Sequence, residues 1–281
     1  MNYKQLIFEP RARPAWQAID VGCLIARQYF VRLWMCWAAT ALPCGILLTA
    51  LYVSGEKNFG VLELFLFWLG KPLYERAQLL FLSRQVFGDT LRLRDIFTKH
   101  YRSLLKGLAG DLSYRRLSHS RSMNMPVDLL EAQTGSARSR RLAVLHRMHA
   151  KPSFPWTVIL FHLEQFLFLS IVIIIGVSLP SEAFESVSIY EITSVDAYMR
   201  EIFLAQLIIY FVASSVIAPF YVSGGFLLYL NRRIHLEGWD LQLMFETGNK
   251  EVANAADNTM INKNNSSINN KPADKQGALV T

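Results

Sequence analysis

The sequence predicts an all-α, polytopic helical membrane protein with about four transmembrane helices and additional interfacial amphipathic helices. Residues Ile202 to Leu230 run for 29 positions without Asp, Glu, Lys, Arg or His. A hydrocarbon core about 30 Å thick needs only about 20 helical residues to be crossed. Hydrophobic residues make up 52% of the 281 positions and the mean hydropathy is +0.22, more apolar than an ordinary soluble domain requires. The net charge of +7 is concentrated in segments that flank the apolar runs. No nucleic-acid-binding pattern accompanies that charge, so no nucleic-acid partner is expected.

Residues 1–32 read as a cytoplasmic N-terminus. They lack an apolar stretch followed by a small-residue cleavage site, so the first span is expected to act as an uncleaved anchor. Pro14 suits a first helical position, and Trp16, Ile19, Cys23, Ala26 and Phe30 recur every three or four residues. That spacing predicts an interfacial helix lying on the membrane. Residues 33–82 hold the first two spans. Leu33 to Val53 is uncharged over 21 residues, with Pro43 inside it. Phe59 to Gly70 supplies only 12 residues and includes Glu63, so the second span must continue through Lys71 and Pro72 or turn back as a re-entrant segment.

Residues 83–155 form a basic cytoplasmic loop of short helical pieces, in which Arg115, Arg116, Arg121, Arg138, Arg140 and Arg141 read as an inside signal touching anionic lipid. Residues 156–230 hold the third and fourth spans, separated by an acidic outer loop at 180–201 with Glu182, Glu185, Glu191, Asp196 and Glu201. The fourth is too long for an upright crossing, and Pro219 with Gly224 and Gly225 predicts a break. Residues 231–246 then predict a cytoplasmic amphipathic helix along the surface, and 247–281, rich in Asn, a disordered tail.

Charge orients the set. Lys and Arg number 5 in residues 1–32, 16 in 71–155 and 6 in 231–281, against 1 each in 54–58 and 180–201. Both termini and the basic loop are therefore expected on the cytoplasmic side of a multi-pass protein. Cys23, Cys36 and Cys44 lie at or inside the first apolar region, so no disulfide framework is expected.

Ionisable side chains inside a membrane are costly and mark candidate sites. Glu63, Lys71, Glu75, Arg76, His162 and Glu164 form the candidate intramembrane polar cluster. Lys71 and Glu164 each fall about 12 Å from the inner edge of the core when their spans are counted at about 1.5 Å per residue. Span two is thus expected beside span three, with Lys71 or Arg76 paired to Glu164 and His162 near Glu75. His162 and Glu164 point about 200° apart on a helix and cannot act jointly without a third residue. A candidate cytoplasmic interaction face comprises Arg115, Arg116, Arg232, Arg233, Trp239 and Asp240. No phosphate-binding loop, nucleophile elbow, zinc-protease motif or dinucleotide fingerprint is present, so no catalytic, metal or cofactor residues are expected.

The runs Phe67-Trp68-Leu69-Gly70-Lys71-Pro72-Leu73-Tyr74-Glu75-Arg76, Leu82-Ser83-Arg84-Gln85-Val86-Phe87-Gly88, Arg115-Arg116-Leu117-Ser118 and His162-Leu163-Glu164 carry a resemblance, together with Pro219-Phe220-Tyr221-Val222 through Gly238-Trp239-Asp240. Over residues 14–245 the chain resembles a family of uncharacterised proteobacterial integral membrane proteins. Their genes lie near those of MoxR-type ATPases, von Willebrand A-domain proteins and transglutaminase-like proteins. The last motif also resembles, more loosely, the membrane domain of some glycerophosphodiester phosphodiesterases. The resemblance implies a bacterial inner membrane, contact with membrane lipid and partners that are membrane proteins or ATPase-associated, and it carries no catalytic residues. The expected function is a scaffold or accessory subunit of an envelope or ATPase-associated complex. The alternatives are a subunit of a small-solute, ion or lipid transport assembly, or a membrane-embedded enzyme.

Overall fold

The computed structural model describes residues 7–8, 11–54, 60–89, 91–147, 152–178 and 192–238. Regular structure among them is entirely helical: α1 (Ala15–Gln28), α2 (Phe30–Ser54), α3 (Gly60–Leu69), α4 (Lys71–Val86), α5 (Leu93–Lys99), α6 (Tyr101–Leu105), α7 (Leu108–Leu112), a 3-10 turn (Tyr114–Leu117), α8 (Arg121–Leu129), α9 (Gly135–Leu145), α10 (Ser153–Ser178) and α11 (Ile192–Glu237). Of the acidic loop expected at 180–201, residues 180–191 lie outside the described residues, whereas 192–201 already form the first turns of α11 and are helix rather than loop. The Asn-rich tail, Trp239 and Asp240 also lie outside the described residues.

Three helices are long and apolar enough to cross a membrane, over Phe30–Tyr52, Ser153–Ser178 and Ile202–Glu237. The first two turn only a narrow stripe inward, whereas the third is covered by protein on all sides over residues 221–231. On α2, Leu33, Cys36, Trp37 and Ala41 are buried at helical spacing, while Val31, Met35, Leu42, Ile46 and Leu51 are exposed. On α10 only Ser153, Trp156, Leu160 and Glu164 are buried, and Phe166 and Val177 stay 70% and 81% exposed. A helix apolar on every face and uncovered on most of them needs an apolar surrounding, which is what a bilayer supplies.

Four such helices were expected, and the second is the one that falls short. It is divided into α3, of 10 residues, and α4, of 16. Gly70 closes α3 with its N–H on Leu66 O at 2.9 Å, and its own carbonyl accepts from Leu73 N at 2.9 Å to start α4. Pro72 fits that start because the first turn of a helix has no acceptor for its missing N–H. The two pieces differ in their surroundings. Leu62 and Leu66 are exposed, but α4 is enclosed by protein on nearly all sides, Lys71, Glu75, Arg76, Gln78 and Ser83 included. It behaves as the polar axle of the bundle. Gln78, for instance, donates to Leu33 O of α2 at 3.2 Å.

The break expected near Pro219 does not occur, and α11 runs unbroken past it to Glu237. The glycines that suggested a break serve close packing instead. A Cβ on Gly22 of α1 would stand 2.9 Å from Gly224 Cα, one on Gly224 would stand 2.6 Å from the Trp156 ring, and one on Gly225 would fall on the Ser122 side chain. Small residues here let α1 approach α11 backbone to backbone and let the Trp156 and Ser122 side chains of α10 and α8 rest on the α11 backbone.

Both expected amphipathic surface helices change character. The buried face of α1 is Ala18, Ile19, Gly22, Ile25 and Ala26, turned against α11, while Trp16 is half exposed. Residues 231–237 continue α11 rather than forming a separate helix. Asn231 ties the two together, accepting from Arg13 N at 3.1 Å and donating to Arg13 O at 2.9 Å. A main core runs from α1 through α4 and the 93–145 region to α10 and α11, and a smaller one gathers Trp37, Phe67, Tyr74 and Tyr210. All of Cys23, Cys36 and Cys44 are free thiols.

Candidate functional site

Four segments enclose a cavity of about 400 Å³. Lys71 and Glu75, one turn apart on α4, form one wall, and Val158, Leu160, Phe161 and Glu164 of α10 the second. Ser214, Ile217, Ala218 and Tyr221 of α11 form the third, and Arg116, Leu117, Ser118, His119 and Arg121 the fourth.

The carboxylates of this cavity are both engaged. Glu164 forms an ion pair with Lys71 and accepts from Ser214 Oγ at 2.6 Å. Glu75 receives the Arg121 guanidinium at 2.7 Å, with both residues buried. Burial alone would weaken the charge on Arg121, but Glu75 and Tyr221 outweigh it and hold the guanidinium above its ordinary value. Arg116 lies over the Trp68 ring at 4.0 Å and donates to Trp68 O at 3.0 Å. Burial, then the neighbouring charge of Arg121, bring Arg116 down to about 10, which leaves it cationic at neutral pH.

Arg76, fully buried, points from α4 into the basic loop rather than into the cavity. Its Nε and Nη2 reach Asp111 Oδ2 at 3.1 and 2.8 Å, and its Nη1 reaches the carbonyls of Leu104 and Lys106, each at 2.7 Å. The chain wraps this guanidinium by turning at Gly107, whose φ of +77° suits a residue without Cβ. Further pairs extend the latch. Arg115 stands 3.8 Å from Asp111 and 3.6 Å from Asp128, and Arg138 Nη2 donates to Asp128 at 3.0 Å. Arg141 reaches Glu131 at 2.8 Å and Glu237 at 3.1 Å, while Tyr229 of α11 donates to Glu131 at 2.6 Å. The loop is therefore a folded cap fastened to α4 and α11.

Among the cluster expected from sequence, the structure brings Lys71, Glu75, His162 and Glu164 to one cavity, and the Lys71–Glu164 pairing is present. Two members are elsewhere: Arg76 holds the cap, and Glu63, buried on α3, does not line the cavity. His162 sits on the exposed side of α10 with Nδ1 on its own helix, 2.8 Å from Val158 O, and Glu75 is paired with Arg121 instead. The loop arginines read as lipid-facing are largely turned inward, with Arg121 buried and Arg138 and Arg141 in ion pairs, while Arg140 is exposed.

The interaction face is redistributed too. Arg232 donates to Leu145 O at 3.1 Å and Arg147 O at 2.9 Å, capping the end of α9. Arg233 pairs with Glu237 at 2.7 Å. Arg115 and Arg116 are engaged with Asp128 and Trp68 as described. Missed altogether were the acidic partners Asp111, Asp128 and Glu131. A signal existed for two of them, since Asp128–Arg138 and Glu131–Arg141 are separated by the same ten residues. Among the described residues no group of three or more His, Cys, Asp or Glu is placed to hold a metal ion.

No family model matches the chain, and no curated protein or solved structure matches it either.

Proposed function

We propose that this chain is an integral scaffold or accessory subunit of a bacterial inner-membrane complex, without chemistry of its own. It crosses four times, with α3 and α4 together making the second crossing and both termini in the cytoplasm. The observation that carries the reading is the cap. A run of 16 basic residues between 71 and 155 would be a loose loop if it only marked the inside. Instead, buried ion pairs fasten it to the bundle and fix its outer surface, as a docking platform requires.

The enzyme alternative needs a pocket joining His162 or His235 to a carboxylate. His162 does share the cavity with Glu75 and Glu164, but those carboxylates are held by Arg121 and Lys71 and its Nδ1 lies on Val158 O. His235 lies outside the cavity with Nε2 near Arg13 O. The transport alternative needs a path that includes Glu63, and the cavity holding Lys71, His162 and Glu164 does not reach it. The odd number of long apolar helices also favours α3–α4 as a return crossing. With only the three spans found among the described residues, the segment before α2 and the C-terminal part of α11 would lie on opposite sides, although Arg13, just before α1, is bonded to Asn231 of α11.

Two measurements test this reading. A reporter active only in the periplasm should be active when fused near Glu185 and silent after Phe245; the reverse would overturn the topology. Purification in mild detergent should recover the chain in fixed stoichiometry with a membrane or ATPase component. The association should be lost, with insertion intact, when Arg76→Met releases the cap. A chain that purifies alone from intact membranes would overturn the scaffold reading.

A further inference from the structure

We propose that the cavity between α4, α10, α11 and the cap binds the phosphate-bearing headgroup of an anionic phospholipid. This goes beyond the scaffold reading and does not depend on it. It requires only that the cavity mouth meets a bilayer.

Charge is the first ground. Lys71, Arg116 and Arg121 face Glu75 and Glu164, an excess of one positive charge with the histidines neutral. Both carboxylates already hold a cation, so the excess belongs to Arg116, which makes no ion pair among the described residues and rests on the Trp68 ring.

Unused donors are the second and independent ground. Arg121 is only 7% exposed, yet its Nη1 has no hydrogen-bond partner. Arg116 Nε and Thr157 Oγ1 are also buried without partners, and all three residues line this one cavity. Buried donors are ordinarily satisfied, and three orphan donors on residues that line one cavity favour an acceptor with several oxygens, reached by rotation of these side chains. A phosphate group meets that demand, and guanidinium groups match its geometry.

The mouth decides between a lipid and a soluble phosphate. Leu117 and Phe161 line it and remain 73% and 47% exposed, on α10 and the turn that faces it. A soluble anion has no use for an apolar rim, whereas acyl chains leaving a headgroup site require one. Basic pockets between membrane helices are a setting in which anionic headgroups bind.

Native mass spectrometry of the full-length protein, exchanged from mixtures of phosphatidylglycerol and phosphatidylcholine, tests the proposal. Wild type should retain phosphatidylglycerol in preference. Arg116→Gln, which removes the cavity cation that makes no ion pair among the described residues, should lower that retention about tenfold or more, as expected when a charged hydrogen bond is lost. Thr157→Val, close to isosteric, should lower it less, and supplies a second test if Arg116→Gln fails to fold by its melting curve. Inorganic phosphate at the same concentration should not displace the lipid. Equal retention of the two lipids, retention unchanged in both variants, or displacement by inorganic phosphate would each overturn the proposal, the last by showing a soluble-anion site.

Discussion

Replacing Arg76 with methionine should destabilise the protein by about 3–5 kcal/mol, the usual result of removing one partner from a buried ion pair. The cost comes from the groups left behind. Asp111 is 4% exposed and would lose its bidentate cation, and the carbonyls of Leu104 and Lys106 would lose their shared donor. Arg76→Lys should recover only part of the loss, because an ammonium cannot present the planar fork that serves three acceptors at once. The contrast is Arg84, whose pair with Asp89 spans 3.3 Å with side chains 45% and 59% exposed. Solvent screens that pair, so Arg84→Ala should cost about 0–1 kcal/mol. Thermal unfolding in detergent, with all variants in parallel, measures the difference.

The second large effect lies at Lys71 and Glu164. Lys71→Met and Glu164→Leu should each cost about 3–5 kcal/mol, since either leaves a lone charge in the bundle. The double variant should recover most of that loss. A paired charge removed together with its partner takes its desolvation penalty with it, and well-packed apolar replacements are often neutral. The coupling read from this cycle should be on the order of 1–3 kcal/mol. Additive losses would mean that the two residues do not act on each other. Ser214 sharpens the result, because its hydroxyl donates to Glu164 and loses that acceptor in Glu164→Leu.

Much of this arrangement was legible in the chain, and for identifiable reasons. The apolar helices declare themselves by length, because only a run of about 20 uncharged residues suits a bilayer. Depth brings Glu164 level with Lys71 or its neighbour Arg76, and the structure selects Lys71 while Arg76 turns to Asp111. Other features depend on how distant segments meet. Gly224 and Gly225 read as a break because glycine weakens a helix in isolation, and only the approach of Gly22, Trp156 and Ser122 shows that the missing side chains are used for contact. The cap was hidden by its net charge. A segment dominated by arginine looks solvated until Asp111, Asp128 and Glu131 are seen to neutralise it from within, and Arg76 reads as a member of the intramembrane cluster until a turn more than 25 residues away is seen to close over it.

The fastening of the basic loop as a cap is the central structural claim, and hydrogen exchange at the backbone amides of 108–129 tests it most directly, in the full-length protein within a bilayer. A docked cap predicts slow exchange in wild type and a marked acceleration confined to this region in Arg76→Met, with α10 unchanged. Exchange in wild type at the rate of a free chain would contradict the account.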